Sequence, residues 1–194
     1  MKSNKITRYA IIAAIVFVGI ALDTVFKTIF AFQPAIVTML CTTSLCLLTS
    51  KKEGLFACFV FGLLSMIRAI IMPSGATALT FVSFWTSFAN PFISILPRVL
   101  IVLVVRLVAS CLMKVLRTAP VVYGVSALVG VLSNTFFCAV MMIVFKLITN
   151  LQTDIFATVI IPFFSINCVI EAVVCAFVTP MLVKGLKNSV IGEK

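Results

Sequence analysis

The chain contains no histidine. That absence removes the commonest general base and the commonest metal-ligating side chain. Acids are scarce: five Asp+Glu stand against 15 Lys+Arg in 194 residues, a net charge of +10. Charged residues make up only 10% of the chain, where an average soluble domain carries about 25%. No CxxC, HExxH, GxSxG or GxxxxGK[ST] motif occurs. Zinc hydrolase, serine hydrolase and P-loop ATPase chemistry therefore have no sequence support. No cofactor is expected. The seven cysteines (Cys41, Cys46, Cys58, Cys111, Cys138, Cys168 and Cys175) all lie in apolar runs. They read as small packing residues, not as a disulfide framework or a metal site.

What the chain has is apolar surface. Hydrophobic residues make up 63% and the mean hydropathy is +1.30. The expected solvent is lipid, and the expected fold is an all-α polytopic membrane domain filling residues 1–194. Six helices are expected, at about 9–32, 34–50, 54–72, 91–113, 121–148 and 155–183. Lys51, Lys52 and Glu53 are expected to form a charged turn, and the uncharged segment from Pro73 to Asn90 a longer connection. Asn90-Pro91 matches an N-cap followed by proline at the first helical position. The first apolar run follows a basic start, as a signal peptide would. No cleavage site follows it before Asp23, so it is expected to stay as a membrane helix.

Basic residues sit between the runs in a one-sided pattern. Lys2, Lys5, Arg8, Lys51, Lys52, Lys114, Arg117, Lys184, Lys187 and Lys194 fall on one side, and Lys27 and Lys146 on the other. The positive-inside rule then puts both termini in the cytoplasm. The same rule accounts for the net charge without a nucleic-acid partner.

Charges inside a span are costly and usually face the bundle interior. Arg68, Arg98 and Glu171 are the main cases, while Arg106 is near enough to one end to snorkel outward. Asn90, Ser94 and Arg98 recur every four residues and share one helix face. Arg98 lies roughly 10–12 Å below the start of its helix. Ser65 with Arg68, and Asn167 with Glu171, make shorter pairs, and Asn134 sits mid-helix. Pro97 should free a carbonyl near Ile93. Two arginines against one acid leave a surplus positive charge that an anionic ligand would complete. The alternative is an arginine–Glu171 pair that only holds helices together. Asn134 and Asn167 read equally as interhelical hydrogen-bonding groups. Trp85, with Phe81, Phe84 and Phe88, reads as an interfacial belt or as a lid over a solute.

Three stretches resemble the S components of energy-coupling-factor (ECF) vitamin transporters. They are Arg8–Ala14, in which Ala10 and Ala14 form an AxxxA pattern; Phe61–Gly75 leading to NPFISILPRVLIVLV at Asn90–Val104; and Ser133-Asn134-Thr135 with Asn167–Ala172. The resemblance covers nearly the whole chain and is most specific in the NPxxSxLPR stretch. It implies a vitamin-binding subunit in the cell membrane of a bacterium, without enzymatic activity of its own. Ala10 and Ala14 would dock on the membrane-embedded T component, and two separate ABC-type ATPases would hydrolyse ATP. The chain is most similar to the pantothenate branch, with Arg98 and Asn134 at matching ligand positions, and it departs from that branch at Arg68. Folate or another carboxylated micronutrient would suit the arginine equally. An intramembrane enzyme or assembly subunit is the rival class.

Overall fold

The computed structural model describes residues 5–30, 35–71, 90–116, 118–149 and 166–191. The described residues form six helices: α1 (Lys5–Phe30), α2 (Ile36–Leu48), α3 (Lys51–Ile71), α4 (Pro91–Val115), α5 (Ala119–Thr149) and α6 (Ile166–Ile191). The described fold is all-α. Five of the helices are long and apolar enough to cross a membrane, and α2, with 13 residues, is shorter. Most of the Pro73–Asn90 connection, including Trp85, and residues 155–165 of the last expected helix lie outside the described residues.

The bundle is apolar outside as well as inside. On α1, Ile12, Val16 and Ile20 face the core, while Ile6, Ala10, Ala14, Phe17 and Ala21 form an exposed stripe at helical spacing. Phe177 and Met181 on α6 and Leu107 on α4 likewise point outward. Water would penalise such a surface, whereas lipid does not. The main core joins α1, α2, α3, α4, α5 and α6 through residues such as Val16, Met39, Cys58, Ile101, Val131 and Cys175.

Close approach of helices depends on small residues. A Cβ added at Gly62 would fall 2.7 Å from the Ile95 Cα, so α3 and α4 meet backbone to backbone there. A Cβ at Gly124 would fall 2.6 Å from the Ala176 carbonyl oxygen, which brings α5 onto α6 in the same way.

Three boundaries differ from the sequence expectation, one being the end of α6, which runs on to Ile191 past the expected 183. Lys51–Glu53 belong to the first turn of α3 instead of a loop. The cause is a capping box: the Glu53 carboxylate accepts from the Ser50 amide at 2.9 Å and from its hydroxyl at 2.8 Å, while Ser50 Oγ accepts from the Glu53 amide at 3.4 Å. Helix α1 also starts earlier than expected, at Lys5. Arg8 there pairs with Glu53 at 3.5 Å, and Tyr9 packs edge-on against Phe56.

Candidate functional site

The sequence singled out Asn90, Ser94 and Arg98, and all three are buried on one face of α4. Asn90 is the N-cap: its Oδ1 accepts from the Phe92 amide at 2.9 Å, with Pro91 at the first helical position. Arg98 is 8% exposed. Pro97 has no amide hydrogen, so the Ile93 carbonyl has no helical donor. Arg98 Nη1 supplies one, at 3.0 Å. The same nitrogen donates to Cys138 Sγ on α5 at 2.7 Å, and Cys138 in turn points its thiol at Asn134 Oδ1, 3.8 Å away. The Phe61 ring on α3 lies 5.7 Å from the guanidinium carbon, within cation–π range. Arg98 and Asn134 are thus joined through a cysteine that sequence reasoning treated as packing.

Glu171 is not bonded to Arg98 in a direct pair. Its Oε1 accepts from the Ala35 amide at 2.5 Å, and Arg98 lies within electrostatic range. Beside it stands Asp23 of α1, 2% exposed, which sequence reasoning used only as a boundary mark. Asp23 accepts from the Val37 amide at 3.0 Å, the Thr38 amide at 2.8 Å and the Thr38 hydroxyl at 2.5 Å. Two carboxylates from two other helices therefore converge on the first turn of α2.

The reason lies in the length of α2. Thirteen residues span about 20 Å, against a hydrocarbon core of about 30 Å. The far end of α2 meets the charged first turn of α3, so a bilayer with its surface at that end would enclose the start of α2 in its apolar layer. Free amides there would cost several kcal/mol each. The positive end of the helix dipole also favours an anion. Arg106 completes the arrangement at the opposite end by donating from Nη2 to the Thr49 carbonyl. It is half-buried in a helix-capping role, reaching toward the charged end to which the sequence allowed it to snorkel.

The charge count changes with Asp23. Two acids, Asp23 and Glu171, now stand near two arginines, Arg68 and Arg98. Arg68 is half-buried on α3 within electrostatic range of Asp23. The expected surplus of positive charge is absent from this described set. An acid inside an apolar run was the available signal, because a buried carboxylate must find donors.

Asn167 lies in the first turn of α6, with its side chain outside the described set. Neighbouring contacts tie α6 to the bundle: Thr135 Oγ1 meets Cys168 Sγ at 3.4 Å, and Thr43 Oγ1 meets Thr179 Oγ1 at 3.3 Å. Ala10 and Ala14 are exposed on the outer face of α1, away from the buried polar groups. Among the described residues no cluster of three metal-binding side chains occurs. Compared with protein-family models, with curated proteins and with solved structures, the chain gives no match in any of the three.

Proposed function

We propose that this chain is the solute-binding membrane subunit of a transporter, an S component of the ECF type. In this reading it crosses the cell membrane of a bacterium six times, counting α2 as the short span, with both termini in the cytoplasm. The observation that carries the reading is the buried Arg98, set between the Phe61 ring and the Cys138–Asn134 pair inside a lipid-exposed bundle. A guanidinium of this kind presents donors to a small polar solute in a dry setting. The one-sided lysines support the orientation. The exposed AxxxA face of α1 supports docking on a T component, with ATP hydrolysis left to two separate ATPases.

Pantothenate remains the first solute to try, on the resemblance. The balanced buried charge removes the electrostatic demand for an anion, so recognition would rest on hydrogen-bond geometry. The test is binding of radiolabelled pantothenate to the purified chain, with Arg98→Ala and Arg98→Lys alongside. Binding lost in both variants, at unchanged thermal stability, supports the assignment. No binding by the parent protein rejects pantothenate and directs a screen to folate and to neutral micronutrients.

A further inference from the structure

Basic residues gather at one end of the bundle. Lys5 and Arg8 open α1, Lys51 and Lys52 open α3, Lys114 closes α4, and Lys184 and Lys187 lie toward the end of α6. The Arg8–Glu53 pair and the Arg106–Thr49 bond tie several of these helix ends together. Glu53 is the acid described at this end, and it is engaged by Ser50 and Arg8. Among the described residues no acid stands at the α5–α6 side of this end.

Lys187 is held in place there. Its Nζ donates to the Tyr123 hydroxyl at 2.7 Å and lies 4.9 Å from the ring centroid. Tyr123 itself is 8% exposed and therefore a firm support. A lysine so fixed has already lost much of the rotamer freedom that weakens surface lysines as ligands. Lys184, one turn earlier, is exposed. Phe177 and Met181, each 73% exposed, precede it at spacings of four and three. An apolar ridge therefore runs along α6 and ends in two ammonium groups.

That sequence of surfaces is complementary to an amphiphile with an anionic head. We infer that this end of α6 binds an anionic phospholipid. The acyl chain lies along Phe177 and Met181, and the phosphate meets Lys184 and Lys187. Tyr123 acts as a positioning residue for Lys187. The inference rests on the membrane character of the bundle and not on the solute it carries.

The test uses the full chain in nanodiscs of phosphatidylcholine containing a minority of phosphatidylglycerol. Retained lipid is counted by native mass spectrometry, and thermal stability is followed in parallel. Lys184→Gln/Lys187→Gln should weaken phosphatidylglycerol retention about twenty-fivefold, taking about fivefold per lysine. Lys51→Gln/Lys52→Gln removes the same charge at the same end and should leave the tightly held copy in place. Tyr123→Phe keeps both charges and should give an intermediate loss, which also serves if the double variant folds poorly. Equal losses in both double variants would reduce the effect to diffuse surface charge and overturn the site. So would wild-type retention in Lys184→Gln/Lys187→Gln, or stabilisation by inorganic phosphate alone equal to that by the lipid.

Discussion

Arg98 donates to the Ile93 carbonyl at 3.0 Å, the acceptor that Pro97 leaves without a helical partner. The proline and the arginine next to it therefore act together. One breaks the ladder, and the other repairs it with a charged donor while staying buried. Pro97→Ala tests this coupling. The new amide would compete for Ile93, and α4 should gain about 1–3 kcal/mol as a regular helix. Thermal unfolding in detergent reads the gain, and solute binding reads the displacement of Arg98. A less stable variant would show that packing requires the break.

Asp23 and Thr38 define a second test. Asp23→Ala strips three donors of α2 of their acceptor and should cost about 2–4 kcal/mol. Asp23→Asn keeps one acceptor oxygen and should cost about half as much. Equal stability of Asp23→Ala and the parent in a detergent unfolding series would remove the capping role.

Gly62 sets the distance between α3 and α4. Gly62→Val would place side-chain atoms against the Ile95 backbone and the Ser94 carbonyl. The helices would have to separate, at about 1–3 kcal/mol. Phe61 and Arg98 face each other across the same contact, so on the proposed solute-binding role the variant should also lower solute affinity. A variant with parent-like melting and affinity would show that the two helices are free to part.

The exposed stripe of α1 makes a separable prediction. Ala10→Leu/Ala14→Leu should leave melting and solute binding of the isolated chain unchanged, because both positions face outward. On the proposed docking role, co-purification with a T component should be lost, since the bulky side chains hold a partner helix away. Full complex formation by this variant would place the docking face elsewhere.

Much of the fold is legible in the sequence. The apolar runs, the Asn90-Pro91 start and the freed Ile93 carbonyl depend on local composition and local stereochemistry, and all three stand in the structure, although α4 runs on through Pro97. The start of α3 is legible too, as the Ser50–Glu53 capping box, although the charges alone suggest a turn. The Arg98 site was half legible. Its face on α4 follows from a spacing of four, but nothing in the spacing pairs α4 with α5 through Cys138.

The sequence by itself determined that this chain is helical, lipid-facing and asymmetric in charge. Those properties add up residue by residue along one dimension. Only the tertiary structure decided where the buried charges go. Asp23 and Glu171 are 148 positions apart, and they meet at the start of α2, where both accept from backbone amides that have no partner within the helix. Arg106, from α4, donates to the Thr49 carbonyl at the other end of the same helix. Such partnerships depend on which helices pack side by side, and helix propensity and hydropathy carry no record of that choice.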